Sequence, residues 1–383
     1  MPLHFSEEEL AARRARACAA MREEGLDGLL VFRQESMFYL TGYDTFGYVF
    51  FQCLYLDADG RFALITRAPD LRQAQQTSVI QDIRIWVDKP DARPAEQLRD
   101  LLQEQGAQGK KLGVEYEAYG LTGANCKKLE AALDGFCTLA DASYLVSKLR
   151  VIKSPAELVY VKRAGELADD AYAAALEKAR PGAFEGDILA AMQGAIYRGG
   201  GDDPANEFII GSGPQALLCR YYTGRRHLDS NDQLTLEWAG AYRHYHAAMM
   251  RTLALGEAPQ RQLDMHSVAH EALLAVEEQF KPGNLVGRAF DAHARVLDKA
   301  GYQAHRMNAC GYSLGTTYAP NWMDWPMLYH DNPVVMSAGM VFFVHIIIFD
   351  SDRNLAMSLG RTSVVTEKGP QSLSRAPLEM MIL

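Results

Sequence analysis

Leu234-Thr-Leu-Glu-Trp-Ala-Gly-Ala-Tyr-Arg-His-Tyr-His-Ala-Ala-Met-Met-Arg-Thr252 reads as a strand, a tight turn and a second strand. Glu237 lies mid-strand between Leu236 and Trp238, in a segment whose alternation puts one face in a core. A carboxylate there is uncommon without a partner, because an unpaired buried charge is costly. One reading is a salt-bridged or surface-facing side chain. The other is a general base or nucleophile whose carboxyl is raised by loss of water toward the range of an acid/base catalyst. Arg243-His-Tyr-His246 is read as following the turn, and strand period 2 puts His244, His246 and Ala248 on one face.

Working outward, Ser154-Pro-Ala-Glu157 is a capping box opening a long alanine-rich helix that ends at Pro181-Gly182. Further helices are expected over Asp187–Tyr197, Gln262–Phe280 and Val286–Lys299, alternating with hairpins as two αβ halves. Upstream, Ser6 and Glu9 cap a helix that runs to about Glu24. Gly28–Phe32 reads as a buried strand, and Tyr48–Leu56 and Arg61–Thr66 as a hairpin across Asp57–Gly60. Helices near Ala95–Glu104 and Ala124–Leu133 alternate with short strands at Lys111–Glu115 and Cys137–Leu139. This alternation predicts a small α/β domain over residues 1–145 followed by a linker at Leu145–Lys153.

A chain of 383 residues with 48% hydrophobic and 23% charged residues is long enough for two globular domains. A net charge of −9 argues against nucleic acid as a partner, since a phosphate backbone needs a basic surface. No apolar run approaches a membrane-spanning length, and the first residues, MPLHFSEEEL, carry no basic-then-apolar signal segment. Six scattered cysteines with no C-x-x-C pair fit reduced thiols and a cytoplasmic location.

The Leu234–Thr252 hairpin resembles that of the creatinase/prolidase ("pita-bread") family, written there roughly LLDxGxxxxxYxxDxTRT. The resemblance implies a mixed α/β (α+β) chain, with a C-terminal pita-bread domain over residues 155–383 preceded by the smaller α/β domain over 1–145. In the metal-dependent members two aspartates of this hairpin are ligands; Glu237 and Ala248 stand at those positions. Gly311-Tyr-Ser-Leu-Gly315 has Tyr312 where those members carry histidine. Gly339-Met-Val-Phe-Phe-Val-His345 resembles GMVFTVEPG, with His345 replacing a ligand glutamate, and Leu359–Glu367 resembles IEDTVLVTE, with Gly360 replacing the last one. Four of the five positions thus hold the wrong kind of residue, and a glutamate with a histidine cannot hold a dinuclear pair. The expectation is no metal and no cofactor. A mononuclear site built on Glu237, His345 and another histidine is the remaining metal-bound alternative.

Gly211-Ser-Gly-Pro-Gln-Ala-Leu-Leu-Cys-Arg220 resembles SGxNAxxPHY, so Arg220 stands where the family has a proton-handling histidine. Arginine cannot act as a base near neutrality, but it can grip a carboxylate bidentately; the other reading is a surface salt bridge. Tyr221 follows it, and His227 lies within reach of a loop shift. Tyr318-Ala-Pro-Asn-Trp-Met-Asp-Trp325 is an aromatic loop that could cage a cationic group, or could be a packed flap. Arg361, beside Gly360, is a candidate second anion clamp.

The Arg-His-Tyr-His hairpin, Tyr312 and the Tyr318–Trp322 loop are similar to the metal-independent branch of the family, creatinase and the ectoine hydrolases. The chain departs from the ectoine hydrolases at Arg220 and at His345-Ile-Ile-Ile348. The expectation is a metal-independent hydrolase of a C–N bond in a small nitrogenous carboxylate. Glu237, His246 and His345 would act in catalysis, and Arg220, Tyr221, Tyr312, Tyr318, Trp322 and Arg361 would bind substrate. A Xaa-Pro dipeptidase, a lyase acting on a small zwitterion, and a non-catalytic binding protein are the alternatives. The resemblance also implies a homodimer, and the aromatic segment Tyr43–Phe51 is the expected contact because Phe46, Tyr48, Phe50 and Phe51 exceed what one buried strand face needs.

Overall fold

The computed structural model describes residues 3–220 and 224–383, which fall into two compact units, Met1–Arg150 and Val151–Leu383. In the first unit, six strands form one sheet: β1 (Gly28–Val31), β2 (Cys53–Asp57), β3 (Phe62–Arg67), β4 (Asp82–Trp86), β5 (Lys111–Val114) and β6 (Thr138–Asp141). Their order is β4-β3-β2-β1-β5-β6, antiparallel from β1 through β3 and parallel at the flanks. Strand alternation sends Leu30, Leu112 and Val114 to one face, where α4 (Pro94–Glu104) and α5 (Gly123–Leu133) cover them. Leu29 and Val31 go to the other, under α1 (Glu7–Glu23), α2 (Gln34–Thr41), α3 (Leu71–Thr77) and α6 (Leu145–Arg150).

Two expectations change here. The stretch expected as a linker is largely α6, because Leu145 and Val146 are buried apolar residues. Tyr48–Gln52 does not extend β2. The Thr45 hydroxyl accepts from Gly47 N–H at 2.9 Å and starts a 3-10 turn over Gly47–Val49. That turn buries Tyr48 and Phe51 and leaves Phe46, Val49 and Phe50 exposed.

The second unit opens with α7 (Pro155–Lys178), whose start carries both bonds of a capping box between Ser154 and Glu157. Helices α8 (Glu185–Arg198), α9 (Gln260–Glu277) and α10 (Gly287–Lys299) follow. Strands β7 (Ile209–Ser212), β8 (Asp232–Tyr242), β9 (Tyr245–Leu255), β10 (Ala309–Ser313), β11 (Asp324–Tyr329), β12 (Val341–Asp350) and β13 (Leu355–Thr366) form a sheet ordered β11-β10-β12-β13-β9-β8-β7. Strand β14 (Gly369–Ser372) pairs with β13. One face of this sheet rests on helices: Trp238 stacks on Tyr172 and its indole N–H donates to Ala168 O at 2.9 Å. The closeness of α7 to β8 requires Gly240, since a Cβ there would lie 2.0 Å from the Ala164 carbonyl oxygen.

The β8–β9 turn consists of Arg243 and His244, both at positive φ (51° and 64°), the signature of a two-residue type I′ hairpin. These residues were expected after the turn; they are the turn. The other face of the sheet is concave. β8 and β10 are four strands apart, roughly 19 Å if the sheet were flat. Yet the Tyr312 hydroxyl of β10 reaches the Glu237 carboxylate of β8 at 3.3 Å. Only a strongly curled sheet permits that contact.

Candidate active site

Glu237, Met250, Gly360 and His345 are directly opposed partners on β8, β9, β13 and β12, so they form one transverse row. Opposed residues point to the same face, here the concave one. The neighbouring faces confirm the parity: Trp238 and Leu359 pack among the helices, and Arg361 donates bidentately to Glu277 of α9 at 2.9 and 2.6 Å.

Glu237 keeps part of its surface accessible at the floor of this face, although protein surrounds it on nearly all sides. Loss of water pushes its carboxyl up to about 7, against the opposing pull of the Tyr312 hydroxyl and the Arg220 charge. Tyr312 is itself buried and accepts from the Trp322 indole N–H at 2.9 Å. His345 is held by burial, and secondarily by Arg220, down to about 4, so it is neutral near pH 7. Its Nδ1 has no hydrogen-bond partner among the described residues. Arg220 is exposed, and its charge reaches both Glu237 and His345. The cluster therefore combines a carboxyl poised near neutrality, a neutral imidazole, a phenol and a guanidinium.

Phe343 completes the floor. Its ring lies 5.4 Å from Tyr312 and 5.5 Å from His345, and Tyr312 and His345 are 5.6 Å apart. Three tilted rings at that spacing are in mutual contact and leave no room for a cation between them. A Cβ on Gly360 would lie 2.9 Å from the Phe343 ring and 2.7 Å from Val344 O. The volume a longer side chain at 360 would need is therefore already filled.

The remaining expected residues fall elsewhere. Arg361 is on the helical face, bound to Glu277, and is not an anion clamp for the row. His246 shares the concave face, but lies four residues along β9 from the partner of Glu237, about 13 Å away. Both its ring nitrogens face protein groups: Nε2 accepts from Ala205 N–H at 3.0 Å and Nδ1 meets Thr317 Oγ1 at 3.2 Å. It is not placed to move a proton at Glu237. Trp322 is only 2% exposed and its N–H is committed to Tyr312, so it is a buried prop rather than a lid over a cation. Tyr318 stacks on His244 at 4.3 Å, over the hairpin turn. His227 is exposed beside Phe184 and not part of the cluster. Tyr221 lies outside the described residues. Phe343 and Thr317 were missed. Phe343 stands where GMVFTVEPG has threonine, a visible signal; Thr317 carried none.

The donors do not fit a dinuclear metal site. Ala248 offers no side-chain donor, and its N–H and C=O are both bonded to the Thr362 hydroxyl. Gly360 offers none either, and the Tyr312 phenol is driven by burial far above its ordinary range. Among the described residues no group of three or more His, Cys, Asp or Glu could hold a metal ion.

Comparison with known proteins agrees with this architecture. Residues 160–367 match the model of metallopeptidase family M24, and residues 13–152 match the creatinase/prolidase N-terminal domain. An uncharacterised hydrolase/peptidase of Sinorhizobium fredii is 29% identical, over 99% of each chain. The ectoine hydrolase of Halomonas elongata is 27% identical, over 99% of this chain and 98% of its own. The Xaa-Pro dipeptidase structure from Bacillus anthracis superposes with a TM-score of 0.85 at 23% identity, covering 98% of this chain and 100% of that one. With a curled sheet backed by helices and an α/β domain ahead of it, this chain belongs to the M24 metallopeptidase family, the creatinase/prolidase group of pita-bread proteins.

Proposed function

We propose that the chain is a metal-independent hydrolase of a C–N bond in a small nitrogenous carboxylate, of the amidine, guanidine or cyclic amide kind. The observation that carries this reading is Glu237: a carboxyl at about 7, on a face where Gly360 and Ala248 supply no metal donor. As a carboxylate it accepts a proton from water as the water oxygen bonds to the amidine carbon. It then returns that proton to the nitrogen as the C–N bond breaks. Tyr312 holds Oε1 in place, and the neutral His345 offers its unpartnered Nδ1 to the substrate or to the attacking water. Arg220, exposed above the row, takes the substrate carboxylate. Similarity over nearly the full chain to a protein named ectoine hydrolase supports this substrate class.

Likeness to Xaa-Pro dipeptidases supports the other reading, a peptidase. That chemistry in a metal-dependent site needs donors at 248 and 360, which Ala248 and Gly360 do not supply. The test is a panel of amidines, guanidino acids, cyclic amides and Xaa-Pro dipeptides, assayed with a chelator and with added Mn²⁺. Turnover of an amidine or guanidine that is indifferent to chelator is expected. Xaa-Pro cleavage that disappears with chelator would overturn the proposal.

A further inference from the structure

The loop after β10 is tied to the β8–β9 turn at several points. His246 N–H donates to Gly315 O at 3.1 Å, Thr316 bridges to Tyr245, Thr317 N–H donates to His244 O at 3.2 Å, and Tyr318 stacks on His244. Within this frame a run of hydrogen bonds has a direction fixed by chemistry. Ala205 N–H can only donate, so His246 Nε2 is unprotonated and Nδ1–H donates to Thr317 Oγ1. The Thr317 hydroxyl proton is then directed at Trp322 O, the longest link at 3.5 Å. The Trp322 indole can also only donate, so the Tyr312 oxygen accepts from it and the Tyr312 proton goes to Glu237 Oε1. His246, Thr317, Trp322 and Tyr312 are each at most 4% exposed, so water does not compete for these bonds.

We propose that His246, Thr317 and Trp322 are positioning residues that hold the loop so that the Trp322 indole N–H locks the Tyr312 hydroxyl onto the Glu237 carboxylate. His246 acts on Glu237 through four intervening hydrogen bonds rather than by exchanging a proton with it. The role rests on Glu237 being the reacting carboxylate, yet the arrangement itself can be read without substrate. A plain packing role would need only the bulk of Trp322 and the methyl of Thr317; the network needs one N–H and one hydroxyl.

The experiment uses the full chain without ligand, at one fixed pH, with ¹³C-carboxyl glutamate and ¹⁵N-indole labels. The Glu237 signal is identified by its loss in Glu237→Gln, and the Trp322 indole signal by its loss in Trp322→Phe. Trp322→Phe keeps an aromatic ring and removes the donor. It is expected to move the Glu237 carboxyl signal in the same direction as Tyr312→Phe, by a smaller amount. Thr317→Val is expected to speed exchange of the Trp322 indole proton about tenfold, the loss of roughly one net hydrogen bond, and Thr317→Ser to restore wild-type exchange. An unmoved Glu237 signal in Trp322→Phe, beside a moved one in Tyr312→Phe, overturns the proposal. So does exchange in Thr317→Ser as fast as in Thr317→Val, which would assign the effect to the methyl group; the threonine pair decides the matter even where Trp322→Phe does not fold. These readouts need no turnover, so they stand apart from a failure of the hydrolase reading, which the substrate panel reports.

Discussion

Glu237 binds its proton more tightly in the folded chain than a free glutamate does, and this fixes the sign of its effect on stability. Its carboxyl is raised from 4.5 to about 7, so between those values the folded state holds more protons and stability falls as pH rises. Above pH 7 the ionised group costs up to about 3 kcal/mol. Glu237→Gln is therefore expected to raise the melting temperature at pH 8, with the difference vanishing below pH 4.5, while turnover is lost at every pH. A Tm difference that is constant with pH would show that the carboxyl is not raised. For the wild type the base must be ionised, so kcat/KM should rise with pH to a plateau with a midpoint near 7; His345, already neutral above about 4, adds no limb there. Glu237 was legible from one residue and its neighbours, because a carboxylate between Leu236 and Trp238 breaks an apolar strand. Arg361 was not, since its partner Glu277 is 84 residues away and only the fold brings them together. For His246 the strand period gave the correct face, but not the distance along the strand or the Ala205 amide that occupies its Nε2.

The pairing of β12 with β13 decides what the floor of the row can accommodate. Val344 O and the Phe343 ring close over Gly360, so Gly360→Ala forces both to give way. Overpacking of this kind costs about 1–3 kcal/mol. Gly360→Ala should lower Tm accordingly, and Phe343→Thr in the same chain should recover the part owed to the ring but not the part owed to the carbonyl. A full loss in the double variant would mean that Phe343 yields freely and is not what fills the space. Elements with their own signals were readable: the Ser154–Glu157 capping box, the Gly60 turn at φ 89°, and the helix over Gln260–Glu277. The errors arose where a local competitor overrode the pattern. The Thr45 hydroxyl started a 3-10 turn where the aromatic run Tyr48–Phe51 favoured a strand, and Arg243 and His244 took up left-handed conformations that the sequence rule assigns to Asn and Gly.

At the scale of the whole chain, the donor set argues for less than one transition metal per chain after purification, with no loss of stability on chelation. Stoichiometric Mn, Fe or Zn that survives dialysis would contradict the metal-independent proposal. The surface of the N-terminal unit argues for self-association. The 3-10 turn at Gly47–Val49 pushes Phe46, Val49 and Phe50 outward, at 73%, 48% and 41% exposure. The Arg67 guanidinium sits 4.0 Å from the Phe50 ring centroid and shields one of its faces, leaving Phe46 and Val49 uncovered. Single exposed apolar residues are ordinary, but three within five positions concentrate apolar surface on one turn that a second copy can bury symmetrically. We predict a homodimer, with light scattering at micromolar concentration giving twice the chain mass. Phe46→Ser with Phe50→Ser should shift the equilibrium to monomer while leaving the melting temperature of the N-terminal unit nearly unchanged, because both rings are exposed. A wild-type monomer at that concentration would remove self-association; a dimer unaffected by both substitutions would place the contact on another surface.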